Sequence, residues 1–228
     1  MNASLCAQTN TGINMNSLTT QHIAVAGRSI VLSVPADPES LLNAAAEAEG
    51  SHDPYWGILW DAALPCAECV LNHHWPAGTK ALELGCGAGL VGVAGLMAGL
   101  DLTFSDVVPD AVSLAVQNAA ANGFAAAKGR AVDIRESPDE TFDVLLASDL
   151  LYDTALHAPL LKFARSALNG DGEFWLGDPG RQNAAAFVAM ARDGGWQVEQ
   201  RDQAGAIQPP ASLAEFQLLV LRPPASVD

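Results

Sequence analysis

Glu83, Gly85, Gly87, Gly89 and Asp106 have the types and the order that a ligand-holding loop requires. The first four fall in ALELGCGAGLVGVAG, residues 81–95, and Asp106 closes the DLTFSD that follows. Read from Gly85 the loop is G-C-G-A-G. Read from Gly87 it is G-A-G-L-V-G, which fits the dinucleotide fingerprint G-x-G-x-x-G. Glycines between a strand and a helix permit a tight turn and let a ligand approach the backbone. A carboxylate at the end of the next strand, here Asp106, can accept hydrogen bonds from both hydroxyls of a ribose. A dinucleotide and S-adenosylmethionine (SAM) share these requirements.

Glu83 and Asp133 separate the two. Glu83 lies inside the strand that precedes the loop, and a carboxylate buried there needs a partner. SAM brings a cationic sulfonium and an amino group, whereas a pyrophosphate would be repelled. Asp133, in the AVD that ends the third strand, can accept from the adenine amino group. Taken singly, Glu83 could serve a salt bridge or a loop amide, and Asp106 a strand-end or helix-cap role. The ordered set favours SAM.

The elements that must position these residues begin with HIAVAGRSIVLSVP, residues 22–35, a β-hairpin around Gly27. Asp37 as N-cap and Pro38 at the first helical position then open a helix through DPESLLNAAAEAE. SHDPYWGILW is an aromatic-rich loop, and DAALPCAECVLNHH a second helix with Asp61 near its start. These pieces form an appendage over residues 22–76, ahead of a core over 77–222, within one domain over 22–228. From Lys80 strands and helices alternate: KALEL, a helix from Gly89, DLTFSD, PDAVSLAVQNAAANG, AAKGRAVD, TFDVLLASD, TALHAPLLKFARSALNG, DGEFWLGD, RQNAAAFVAMARDGG, WQVEQRDQ and SLAEFQLLVLRP. That rhythm predicts an α/β fold, an open and mostly parallel sheet with helices on both faces. Its ligands bind beyond the carboxyl ends of the strands. The remaining chain is consumed by completing one sheet, whereas a dehydrogenase would usually need a separate substrate domain.

The formal net charge of −15, with no cluster of Lys and Arg, excludes a nucleic-acid partner and suits a basic or a small neutral one. Cys66 and Cys69 form a C-x-x-C without a second pair, so no metal site is expected and the thiols read as free and buried in a reducing cytoplasm. No apolar run is long enough to span a bilayer. The polar MNASLCAQTNTGINMNS carries no secretory signal; residues 1–21 read as a flexible tail, or as an extra start ahead of Met15. A cytoplasmic monomer is the expectation.

The chain resembles the class I, seven-β-strand methyltransferases, and within them the family-16 protein-lysine methyltransferases. The matching pieces are YWGILWDAAL, LELGCGAGLVG, the strand-end SD at 105–106, Asp133, and DVLLASDLLYD at 143–153. The resemblance runs from about residue 22 to 222. It implies a Rossmann-like seven-stranded sheet in the order 3-2-1-4-5-7-6 with the last strand antiparallel. It implies SAM contacts from Glu83, Gly85, Gly87 and Asp106, with Trp60 against the cofactor. Asp133 and Ser148 would lie near the adenine and the methionine part. The D-x-x-Y at Asp149–Tyr152 would sit at the mouth of the substrate channel. Many relatives carry Trp after the acidic residue of the third strand, where this chain has Ile134. WLGDPGR, residues 175–181, is similar to a segment of the lysine methyltransferases of the electron-transfer flavoprotein β-subunit, but their motif ends D-x-F-Y where this chain has Leu151.

The expected activity is N-methyl transfer from SAM, foremost to a protein lysine. Asp149 would orient the amine and stabilise charge developing on nitrogen, and Tyr152 would wall the channel. Asp149 could instead cap the helix near Thr154, and Tyr152, Trp56 and Trp60 could be packing residues. The missing prolines of SDLLYD disfavour a base methylase. A small-molecule amine or pyridine N-methyltransferase, a non-catalytic SAM-binding module and an NAD-binding oxidoreductase are the alternatives.

Overall fold

A computed structural model describes residues 17–38, 54–208 and 215–224. The expected helix after Asp37 therefore lies outside the described residues, apart from Pro38. The hairpin consists of β1 (Leu18–Val25) and β2 (Arg28–Pro35). Ala26 and Gly27 both have positive φ at its turn, which gives the two-residue connection a twist matching the strands. The first strand thus begins four residues earlier than expected, inside the segment read as a tail.

After a short 3-10 turn at Pro54–Gly57 comes α1 (Ala63–Asn72). The core then runs β3 (Lys80–Leu84), α2 (Leu90–Met97), β4 (Asp101–Asp106), α3 (Pro109–Ala121), β5 (Lys128–Ala131), β6 (Phe142–Ser148), α4 (His157–Ala167), β7 (Leu168–Asp178), α5 (Gln182–Asp193), β8 (Gln197–Arg201) and β9 (Gln217–Arg222). The seven core strands lie in the order β5-β4-β3-β6-β7-β9-β8. Counted from β3, this is the expected 3-2-1-4-5-7-6. Only β9 is antiparallel to its neighbours, β7 and β8.

Strand alternation sorts the core into two layers. Ala81, Val144 and Leu146 face the layer shared with α1, α2, α3 and the hairpin. Leu82, Leu84, Leu145 and Ala147 face the layer shared with α4 and α5. The same alternation turns Glu83 toward the first layer, where it is 2% exposed among apolar neighbours.

Within the core, two differences from expectation stand out, one near the site and one at the β6–β7 pairing of the sheet. The third core strand ends at Ala131, so Asp133 stands two residues past it in a turn. The helix expected to end at Gly170 ends at Ala167, because residues 168–178 form one long strand. The N-G-D-G stretch that reads as a helix stop is a bulge: Phe142 pairs with Leu168, Val144 pairs with Glu173, and Asn169 donates from Nδ2 to Asp143.

The hairpin is tied to the core by two asparagines one turn apart, Asn118 on α3 and Asn122 at its C-cap. Asn118 accepts from the Ser33 N–H at 2.8 Å and donates to the carbonyls of Ser33 and Ala88. Asn122 accepts from the Val31 N–H at 2.9 Å and donates to the Val31 carbonyl. Together they satisfy the open edge of β2. Asn118→Ala is expected to lower stability by roughly 1–3 kcal/mol, because it strands backbone groups in a mostly buried setting. Urea unfolding at constant m-value checks this.

Candidate functional site

The ten residues nominated from sequence all line one cavity of about 380 Å³. It opens at the carboxyl ends of β3, β4 and β6, where the sheet order reverses around β3. Gly85, Gly87 and Gly89 form its loop, between β3 and α2. Gly87 has φ +48°, and a Cβ there would stand 3.0 Å from the Trp56 carbonyl oxygen. The tightness expected of a ligand is thus already supplied by the protein, and the aromatic loop leans on the glycine turn. Asp106 pins that turn from the other side: its Oδ2 accepts from the Gly87 N–H at 3.1 Å, and its Oδ1 from the Val108 N–H at 3.0 Å.

Glu83 lies beneath the loop. Burial pushes its pKa from an ordinary 4.5 to about 8, and the Gly92 N–H pulls the other way. Its Oε2 has no hydrogen-bond partner among the described residues. A Cβ at Gly92 would collide with that oxygen and with the Phe104 ring, so the third glycine of the fingerprint lets α2 close over the carboxylate. A buried, orphaned carboxylate on the wall of a cavity suits a ligand that carries a cation. Across the cavity Val107, Val108, Val132 and Ile134 offer an apolar slot beside Asp133, suited to a flat heterocycle. The Asp133 carboxylate accepts from the Arg135 N–H at 2.9 Å. The residues present therefore fit SAM: a cation partner, a turn fixed by a carboxylate, and an apolar slot with an acceptor at its edge.

Ser148 ends β6 and lines the cavity, and Asp149 follows it in a left-handed conformation, φ +62°. Asp149 is 5% exposed. Its Oδ2 accepts from the Ala62 N–H at the start of α1 at 3.0 Å. The Arg181 guanidinium lies 2.7 Å from its Oδ1 as an ion pair rather than an aligned hydrogen bond. Burial raises the pKa of Asp149 above the usual carboxylate value, and Arg181 and the Ala62 N–H draw it back. The helix turn at Thr154 is capped by Asp153, which accepts from the Ala155 N–H. Asp149 therefore does not serve that turn; it serves the N-terminus of α1 and the cavity.

The mouth is aromatic. Tyr55 meets Trp60 and Tyr152 edge-on, at centroid distances of 5.7 and 6.2 Å. All three rings line the cavity and keep more than a third of their surface exposed. Trp60 donates from Nε1 to the Tyr55 carbonyl at 2.9 Å. Sequence reasoning missed Tyr55, Gly92 and Arg181. Gly92 was legible as the third glycine of the fingerprint, and Arg181 lay in the quoted WLGDPGR. Nothing in the sequence pairs Arg181 with Asp149.

Among the described residues no group of three or more His, Cys, Asp or Glu could hold a metal ion. Cys66, Cys69 and Cys86 are free thiols and buried. No helix among the described residues is long and apolar enough to cross a membrane.

Comparison with known proteins gives one family. A family model described as "Methyltransferase domain" matches residues 76–209, more than half of the chain. The electron transfer flavoprotein beta subunit lysine methyltransferase of Danio rerio is 32% identical over 132 residues, 57% of this chain and 51% of its own. The histidine protein methyltransferase 1 homolog of Dictyostelium discoideum is 31% identical over 131 residues, 52% of this chain and 41% of its own. The chain thus spans about half the length of the curated relatives it matches. Among solved structures, the glycopeptide N-methyltransferase MtfA complexed with SAM is 16% identical with a TM-score of 0.56, covering 72% of this chain and 95% of that one, which is a likeness of fold.

Proposed function

The chain belongs to the methyltransferase-domain family and carries a SAM-dependent methyltransferase domain, and from that premise we propose that its acceptor is a lysine side chain of a protein. One observation carries the reading. The cavity that contains the glycine loop also contains a buried, arginine-paired carboxylate, Asp149, behind an exposed aromatic mouth. That arrangement suits a slender amine reaching in from a larger body. The exposed Asp61 and Asp153, next to Trp60 and Tyr152, favour a basic partner surface. The relatives named for protein acceptors support the same class, and the one named for histidine gives the second reading, a ring nitrogen in place of the amine.

When bound, SAM supplies an electrophilic methyl carbon on a sulfonium. The chain's own residues then align and desolvate. In this reading Glu83, Asp106 and Asp133 hold the amino group, ribose and adenine, with Gly85, Gly87, Gly89, Ser148 and Trp60 around them. A lysine amine, with an ordinary pKa of about 10.4, must be neutral when it attacks. The ammonium would first give up its proton to solvent; the amine lone pair would then form the N–C bond as the sulfonium–methyl bond breaks, its electron pair leaving on a neutral thioether and positive charge passing to the nitrogen. Asp149 faces that developing charge, and Tyr152 walls the approach. Asp149 is not the base, because even a raised carboxyl is far less basic than the amine.

The test is partition of label. The protein is incubated with methyl-labelled SAM and a lysate of its own host lacking the gene, and macromolecules are separated from small molecules. Label in the protein fraction is expected. Label confined to small molecules would assign a metabolite N-methyltransferase instead.

A further inference from the structure

We propose that Arg181 is a positioning residue: from outside the cavity lining it holds the Asp149 carboxylate in place and in its charged form. The proposal rests on the reading of Asp149 as the group that meets the acceptor. It starts from the tetrapeptide D-P-G-R at 178–181. β7 ends at Asp178, which is fully buried. Its Oδ1 accepts from the Gly180 N–H at 2.8 Å and from the Arg181 N–H at 2.7 Å. Gly180, at φ +88°, lets the chain fold back over the strand ends. Arg181 then stands just before α5 with its side chain three-quarters buried.

The register makes this position consequential. β6 and β7 are neighbours, with Ser148 opposite Gly177, so Asp149 and Asp178 are brought side by side at the strand ends. The Arg181 guanidinium spans them, with Nη2 2.7 Å from Asp149 Oδ1 and Nη1 3.4 Å from Asp178 Oδ2. Among the described residues the Ala62 N–H at the start of α1 and the Cys66 thiol also face Asp149; burial pushes the pKa of that thiol well up, and it stays neutral. Arg181 is thus the cation set against two buried carboxylates. Without it, the Asp149 carboxylate would be buried beside a second carboxylate with no cation against it, which favours its neutral form. A neutral Asp149 could still accept from Ala62, but it could not stabilise positive charge on the acceptor nitrogen.

The experiment compares Arg181→Met and Arg181→Lys with the wild type, with Asp149→Asn alongside. Methylation of lysate protein by labelled SAM is followed from about pH 6 to about pH 9. The acceptor's own titration is common to every enzyme form, so it cancels in the ratio of mutant to wild-type rate. Arg181→Met is expected to lower the rate about tenfold to a hundredfold, the scale on which an adjacent cation favours the charged form of a carboxylate. The deficit grows as the pH falls. SAM affinity is unchanged, and Arg181→Lys, which keeps the charge, shows a smaller and flatter deficit. A deficit constant across the pH range, or none at all while Asp149→Asn is inactive, would overturn the proposal. Loss of SAM binding in both Arg181 variants would make the arginine a structural brace and overturn it equally. Wild-type turnover in Asp149→Asn would instead sink the reading beneath it.

Discussion

Asp149→Asn is expected to lower kcat by about a hundred- to ten-thousandfold while SAM still binds. Asparagine is the informative replacement because Asp149 sits at φ +62°, a conformation that Asn adopts several-fold more readily than Ala. Its carbonyl oxygen can keep the hydrogen bond from the Ala62 N–H, so the backbone and the start of α1 stay in place. Only the charge is removed, both toward the acceptor and toward Arg181. Rates of label transfer, set against SAM affinity by calorimetry, separate the two effects. A kcat within about tenfold of wild type would remove Asp149 from the chemistry.

Glu83→Gln is expected to weaken SAM binding about a hundredfold, the scale for removing one partner of a buried charge pair. A pH signature accompanies it. The pKa of Glu83 in the folded chain, about 8, lies above its ordinary 4.5, so folding favours the protonated carboxyl. That contribution is complete below about 4.5. It is lost at about 1.4 kcal/mol per pH unit as the pH rises, and is gone above about 8. The free protein should therefore lose stability from weakly acidic to weakly alkaline pH. The stabilisation conferred by SAM should grow over the same range, because its cation then meets a charged partner. In Glu83→Gln both trends flatten. Thermal unfolding with and without SAM checks this, and wild-type SAM affinity in the variant would show that the orphaned oxygen faces some other group.

The sheet was legible because its signals are local. KALEL and DLTFSD are short apolar runs closed by glycine or aspartate, and β3 and β4 have those bounds. The glycine loop and its carboxylates lie within one strand-turn-helix-strand unit, so their convergence follows from order alone. What was hidden depends on pairings across the chain. Asn118 reads as an ordinary helical residue and Asn122 as a stop signal, yet both satisfy the hairpin edge. The start of α1 has no side-chain cap of its own, and Asp149 stands there instead. N-G-D-G reads as a turn because its residues favour turns, but the pairing of β6 with β7 absorbs it as a bulge. Arg181 meets Asp149 only through the adjacency of two strand ends, which no periodicity encodes.

The most direct measurement identifies the methylated atom. Protein labelled from methyl-SAM by the wild-type chain is hydrolysed to amino acids, and the labelled species is separated against methyl-lysine and methyl-histidine standards, with Asp149→Asn run in parallel. Methyl-lysine formed by the wild type and absent with the variant is the expected result. Label on histidine alone, or methyl-lysine formed equally by Asp149→Asn, would contradict a lysine amine received at Asp149.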